Sequence, residues 1–510
     1  MPALQADLFG AGLCEPEEVP ACLFVVFGAT GDLMARKIAP ALYNLARDRD
    51  LADRLAVLGV ARRPRSDEQF RQEMLQALRQ YSRGGLDESF WQRFSQRWHY
   101  QTARAQKHEH YEALRQRLTS LDRLHGCQCN RVFYLSVSAD LVEDIVLNLG
   151  EVGLNRPRGD DAFVRLVVEK PFGHDLDSAC RLNRTLLEHF DESQLYRIDH
   201  YLGKETVLNL LVLRFGNSVF EPLLNRHHVA RVEITTAETS GMEARRGPYY
   251  EQAGALRDMI QNHMLQLLAL IAMDVPGSLG AQAIRDEKVK VLRSIPPLTP
   301  EQVQRWTVRG QYVGEGDIPA YTREPGVAAD SQVETYAAVR LSVDNRRWAG
   351  VPFYLRTGKR LAAKASQIAV IFRPEPVSLF YSADCPIRSP NRLVLSITPD
   401  EGVYLVVDAK VPGPRMMLRP VKLDFRYESS FQSASPEAYE HLLLETICGD
   451  PTLFIRRDEA EAAWRVVDSI RNSWLATGLP TLEKYPPLSW GPASADRLFE
   501  DPYGGWLAIR

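Results

Sequence analysis

The stretch from residue 22 to residue 33 limits the choice of fold more than any other part of the chain. Cys22–Phe27 (CLFVVF) is an unbroken apolar run, the pattern of a strand buried on both faces. It meets Gly28, Ala29, Thr30, Gly31, Asp32 and Leu33, and then a helical stretch carrying Ile38, Leu42 and Leu45. Strand, glycine turn and helix make the opening of a mononucleotide-binding unit, where backbone N–H groups at a helix N-terminus hold phosphate. Those six turn residues are therefore candidates for cofactor binding. The spacing is G-x-x-G rather than the fuller G-x-G-x-x-G, and a plain tight turn uses the same glycines, so both readings stand on this stretch alone.

A second apolar run, 55–60, ends in Ala61-Arg62-Arg63-Pro64-Arg65. Folds that take NAD place an acid at the end of this strand for the ribose hydroxyls, whereas arginines suit a 2′-phosphate. NADP is favoured over NAD on that ground, although a solvated basic loop has the same composition. Asp50 and Asp53 precede the strand and read as caps of the preceding turn. Residues 66–125 read as helical and polar, with Phe70, Phe90, Trp91 and Tyr111 for packing. Strands resume at 131–137, which contains Tyr134 and Ser136, and at 163–168, which runs into Glu169-Lys170-Pro171. Strands alternating with helices predict a doubly wound parallel sheet. Ligands of such sheets bind at the carboxyl ends of strands, where Ser136 and Lys170 fall.

After residue 200 the pattern changes. Residues 229–236 alternate, with Val232 and Ile234 on one face and Arg231 and Glu233 on the other, and 333–343 behave alike. Further strands are expected near 305–312, 352–357, 366–373, 392–398 and 402–408, with helices at 252–273 and 458–476. One-faced alternation is the habit of an antiparallel sheet. The expected fold is thus a Rossmann-like doubly wound α/β domain over 21–199, followed over 200–495 by a larger α+β domain whose mainly antiparallel sheet is covered by helices. The 510 residues are 45% hydrophobic and 25% charged, with a net charge of −3. That is a globular balance with no general attraction to nucleic acid or an anionic membrane. No apolar run approaches the roughly 20 residues of a membrane span. The first twenty residues hold Asp7, Glu15, Glu17 and Glu18 but no Lys or Arg, unlike a secretory leader. Seven scattered cysteines read as reduced thiols of a cytoplasmic protein.

The run Arg197-Ile198-Asp199-His200-Tyr201-Leu202-Gly203-Lys204-Glu205 gathers a carboxylate, an imidazole and an amine in a short stretch. Read as helix, it puts His200 and Lys204 on one face, a pair that suits a phosphate dianion, and leaves Asp199 to orient another group. A solvated helix start with Asp199 near its N-terminus is the plainer alternative. The run resembles the signature of the glucose-6-phosphate dehydrogenase family. Other stretches agree in family order: Gly-Ala-Thr-Gly-Asp-Leu at 28–33, Arg-Asp-Glu-Lys-Val-Lys-Val-Leu at 285–292, Gly-Gln-Tyr-Val-Gly at 310–314 and Ser-Trp-Gly-Pro at 489–492. Thr30 and Met34 depart from the family's usual serine and alanine.

The resemblance implies an NADP-dependent oxidation of glucose 6-phosphate at C1 to the 1,5-lactone, the entry step of the pentose phosphate pathway, by a homodimer or homotetramer built on the second domain's sheet. It implies that His263, in Arg257-Asp258-Met259-Ile260-Gln261-Asn262-His263, is the general base, oriented by Asp199. On its own residues His263 reads equally as a core histidine beside the apolar stripe of Ile260, Met264, Leu267, Leu268 and Ile271. The family's phosphate site falls on His200, Tyr201 and Lys204, completed by Lys359 and Lys364; its sugar-hydroxyl contacts fall on Lys170, Glu238 and Asp258. Its cofactor contacts fall on residues 28–33, Arg62, Tyr134, Ser136 and Lys170, with Arg62 on the 2′-phosphate. No metal is implied. A dehydrogenase for an unphosphorylated sugar would have no use for His200 and Lys204, and a nucleotide sensor without chemistry would have no use for Asp199 and His263.

Overall fold

The structure is a computed structural model, and it describes residues 19–509 apart from 50, 244–245, 376–389, 415, 428–429, 431–435 and 501–503. Asp50, Asp7, Glu15, Glu17 and Glu18 lie outside the described residues. The chain forms two compact units. The first takes the chain up to Lys170, then Arg184–Ile198 and Tyr439–Leu453; the second takes Pro171–Asn183, Asp199–Ala438 and Phe454–Arg510.

The first unit is built on parallel strands β1 (Cys22–Phe27), β2 (Leu55–Ala61), β3 (Trp98–Thr102), β4 (Arg131–Leu135), β5 (Val164–Val168) and β6 (Leu195–Ile198), in the order β3-β2-β1-β4-β5-β6. β1, β2 and β4 are buried along their whole length, which is why they read as continuous apolar runs. The strand order reverses between β1 and β4, and a doubly wound sheet binds its ligand at that reversal.

Two of these strands differ from the sequence expectation. Residues 66–125 are not helical throughout, because Trp98–Thr102 pairs with β2. Its Trp98 ring packs on Phe70, Trp91 and Phe94, so aromatics that looked like helix packing are holding a strand too short to show periodicity. Leu195–Ile198 is also a strand, pairing with β5, where the motif read as helix.

The segment returning at Tyr439 is anchored by polar contacts that no local pattern announces. The buried Glu440 carboxylate accepts Nε and Nη2 of Arg83, each at 2.7 Å, and Nδ2 of Asn44 at 3.0 Å. Arg165 Nη1 donates to the Thr446 carbonyl at 2.9 Å.

The second unit is built on β7 (Val229–Ala237), β8 (Thr307–Tyr312), β9 (Tyr336–Ser342), β10 (Pro352–Gly358), β11 (Ala365–Phe372), β12 (Arg392–Thr398), β13 (Gly402–Lys410), β14 (Leu418–Arg426) and a short strand at Glu483–Tyr485. They lie in the order β14-β13-β12-β11-β7-β10-β9-β8 with Glu483–Tyr485 outermost beside β8. Pairing is antiparallel except between β7 and β10 and between β8 and Glu483–Tyr485. β14, absent from the sequence reading, is an edge strand whose Pro420 would not fit a central position.

The helix expected at 252–273 is three pieces: Gly247–Ala255, a π-helix at Leu256–Met264, and an α-helix at Leu265–Ala272. Gly254 breaks it with φ 63° and ψ 174°. A Cβ there would lie 2.4 Å from Glu334 Oε1, so glycine is required twice over. Glu334 then accepts the first amides of the π-helix, from Ala255 through its carbonyl and from Leu256 through its carboxylate, both at 3.0 Å. Both flanks of 258–272 are buried, so hydrophobic period could not reveal the change of pitch.

Removing the Glu440 carboxylate leaves Arg83 and Asn44 with one partner fewer at a mostly buried position. Glu440→Ala is expected to lower stability by about 2–3 kcal/mol, read as a shift in the urea midpoint; a shift equal to that of an exposed glutamate would contradict the anchoring role.

Candidate active site

The nucleotide end is built where β1 stops. Gly28 has φ +84°, and a Cβ on it would lie 1.9 Å from the Ser136 carbonyl. Its N–H donates to Val60 at 2.8 Å, and Gly31 N–H donates back to Gly28 at 2.9 Å. The turn therefore presses its backbone between the ends of β2 and β4, and only glycine allows that approach.

Beside it lies a cleft of about 830 Å³ lined by Gly28, Thr30, Gly31, Arg62 and Ser136 of the expected set. The other expected residues stand elsewhere. Ala29 is buried beneath the turn, Asp32 is exposed and paired with Arg36 at 2.7 Å, and Leu33 and Lys170 are not cleft-lining. Tyr134 is fully buried and donates its hydroxyl to Glu169, away from the cleft lining. Arg63 and Arg104 line the cleft and were missed. Arg104 follows β3, and reading that strand as helix hid its position. Among the described residues, the only ionisable groups lining this cleft are the three arginines.

The second unit holds Asp199 and His263, and here the motif folds differently from its expected helix. Asp199–Gly203 is a turn, Lys204 is the N-cap, and the helix begins only at Glu205. Asp199 causes this. Its Oδ1 accepts the Tyr201 N–H at 2.9 Å and its carbonyl accepts the Leu202 N–H at 3.0 Å, a local bonding pattern that competes with helix. His200 and Lys204 are therefore not one helical face.

The turn delivers Asp199 to His263 on the π-helix. Both are 1% exposed, and Asp199 Oδ1 is hydrogen-bonded to His263 Nδ1. The Tyr201 ring stacks on the His263 ring at 4.4 Å, and His200 meets it edge-on at 4.5 Å. Burial alone would raise the Asp199 pKa. The charge His263 carries once protonated and its hydrogen bond, the nearby His200 and the Tyr201 amide together hold it well below the usual carboxylate range. An ionised carboxylate only accepts, so Nδ1 carries the proton and Nε2 is the nitrogen able to take another. Ligand-type atoms of Asp199, His200 and His263 lie within 4.8 Å of one another.

Lys204 Nζ donates to Thr398 Oγ1 at 2.8 Å and sits 4.6 Å above the Tyr201 ring. Burial lowers its pKa; Glu401 opposes that and exposed Lys364 adds to it. Lys359 departs from the expected cluster of phosphate cations. It is 2% exposed, and its ammonium is paired with Glu238. β7 and β10 run parallel to Ala237 and Gly358, so the residues just past their ends meet. Asp258 is buried and accepts the Tyr249 hydroxyl at 3.1 Å; Tyr249 carried no sequence signal.

A dinucleotide cleft on a doubly wound sheet, together with a buried carboxylate–imidazole pair beside lysines, defines a nucleotide-dependent oxidoreductase. Comparison with known proteins narrows this. The family model described as glucose-6-phosphate dehydrogenase, NAD binding domain, matches residues 25–209, and that of the C-terminal domain matches 211–507. Glucose-6-phosphate 1-dehydrogenase of Chlamydia pneumoniae is 44% identical over 509 residues, 98% of each chain. That of Bacillus subtilis is 42% identical over 484 residues, covering 94% of this chain and 96% of its own. A solved glucose-6-phosphate dehydrogenase in complex with its substrate glucose-6-phosphate superposes with TM-score 0.87 at 32% identity, covering 97% of this chain and all of the other. The enzyme from Mycobacterium avium gives 0.81 at 35%, covering 96% and all of the other. The chain belongs to the glucose-6-phosphate dehydrogenase family, whose members are oxidoreductases with a nicotinamide-dinucleotide domain.

The π-helix start depends on Gly254. Gly254→Ala is expected to destabilise by about 1–3 kcal/mol and to lower kcat, because the His263 segment loses its register. Thermal unfolding and turnover measured together check this, and unchanged values for both would contradict it.

Proposed function

We propose that the chain oxidises C1 of D-glucose 6-phosphate to 6-phospho-D-glucono-1,5-lactone with NADP as hydride acceptor. The observation that carries the reading is the buried Asp199–His263 pair, a base whose tautomer is set by an ionised carboxylate. The family membership and the substrate complex of a solved relative support the choice of sugar.

His263 Nε2 takes the proton of the anomeric hydroxyl, and Asp199 stabilises the imidazolium that forms. A nicotinamide dinucleotide held at the Gly28 turn would supply the acceptor for the hydride that leaves C1. The sugar thereby loses a hydride from C1 and a proton from its hydroxyl, and His263 passes that proton on to water. Lys204, His200 and Tyr201, with Lys364 nearby, meet the phosphate. A dianion there offsets the Lys204–Lys364 repulsion and favours the charged form of a partly desolvated amine. Asp258, Glu238 and Lys170 meet sugar hydroxyls, and Lys359 holds the Glu238 carboxylate in place by pairing with it.

For the cofactor, the Gly28 turn offers the close backbone approach a pyrophosphate needs. The acid-free, three-arginine cleft fits a 2′-phosphate rather than a bare ribose diol. We place Arg62 on that phosphate, with Thr30 and Ser136 beside the pyrophosphate. The enzyme is proposed to work as a homodimer or homotetramer in the cytoplasm. The described residues contain no helix long and apolar enough to cross a membrane.

The test is growth of reduced-nicotinamide absorbance with glucose 6-phosphate or glucose, each with NADP or NAD. Fast reduction is expected with glucose 6-phosphate and NADP. His263→Asn is expected to lower kcat by about 10²–10⁴-fold with KM little changed; near-normal turnover in that variant would sink the mechanism.

A further inference from the structure

Glu169 takes no part in the steps above, yet three elements of the first unit converge on it. It follows β5 and directly precedes Lys170. Tyr134 reaches it from β4, the neighbouring strand, where Tyr134 is paired with Val167. Tyr439 reaches it from the start of the returning segment, donating at 3.0 Å. Both phenols donate to the same oxygen, Oε1, and both rings are buried. The Lys170 backbone amide bonds to the same carboxylate, and the Lys170 charge lies close enough to act on it.

A packing role does not account for this arrangement. Burial raises the Glu169 pKa against the opposing pull of both phenols, the Lys170 charge and the Lys170 amide. The carboxylate is therefore held where an apolar side chain would be more comfortable. Two rigid phenols on separate elements fix the carboxylate in space, and through it the final peptide of β5. That peptide leads into Lys170 and then into Pro171, which keeps residue 170 extended.

We propose that Glu169, clamped by Tyr134 and Tyr439, is a positioning residue that sets the placement of Lys170. The inference rests on the reading of Lys170 as a group that meets the sugar. It assigns a function to Tyr439, which lies 269 residues beyond Lys170 in the chain and outside every motif.

The experiment uses full-length Tyr439→Phe, Tyr134→Phe and Lys170→Met and the two double variants, with kcat and KM for glucose 6-phosphate measured well below the unfolding temperature and Tm measured separately. Each phenylalanine variant is expected to lose about tenfold in kcat/KM, and that loss is expected to disappear in the Lys170→Met background. Glu169→Gln, which keeps an acceptor oxygen for both phenols, is expected to retain more activity than Glu169→Ala. A lowered Tm with unchanged kinetics would overturn the proposal, as would a loss of the same size with and without Lys170. Full activity of Lys170→Met would overturn it too, and would place the failure in the reading of Lys170. Should Tyr439→Phe not fold, the Tyr134→Phe cycle decides alone.

Discussion

The hydrogen bond between Asp199 and His263 joins two segments that each give up regular structure to make it. Asp199 ends the run of β6 and bends the chain into a turn by capturing the amides that a helix would have used. His263 rides on a π-helix, a pitch found chiefly as single turns and often at functional sites. Glu334 and the side-chain-free Gly254 hold the start of that π-helix. The geometry of the pair is thus set by backbone chemistry on both sides. The 1% exposure of each partner then excludes the water that would weaken their interaction.

Charge is distributed around this pair in two ways. Lys359 is committed to Glu238 at the joined ends of β7 and β10. Lys204 and Lys364 repel each other through a partly desolvated site, the state expected of cations built to meet an anion. The cleft of the first unit shows the same economy with three arginines and no acid. Local sites of one sign can exist on a chain of net charge −3 because the compensating acids lie elsewhere.

How much of this was legible depends on whether the signal is local. β1 and the Gly28–Gly31 turn were readable because an apolar run, two glycines and an apolar-periodic stretch follow in order. β7 and β9 to β13 were readable from alternation. β3 was lost among helices because five residues carry no period. The π-helix was lost because every flank of it is buried, so a stripe appears at any pitch. The helical reading of Arg197–Glu205 failed because spacing was weighed and the bonding habit of Asp199 was not. Tyr134 was assigned by family position, and its burial against Glu169 was not legible because that contact joins two strands. Glu440 and Tyr439 had no local signal at all, since their partners stand hundreds of residues earlier in the chain.

The most direct test of the central claim is the protonation state of His263. Spectra of protein carrying nitrogen-15 in its histidines, assigned by comparison with His263→Asn, would be recorded at neutral pH with and without Asp199→Asn. The account predicts a neutral imidazole in the native protein, with its proton on Nδ1 and Nε2 unprotonated, and loss of that single tautomer when Asp199 is replaced. A His263 already doubly protonated at neutral pH, or carrying its proton on Nε2, would contradict a base oriented by Asp199.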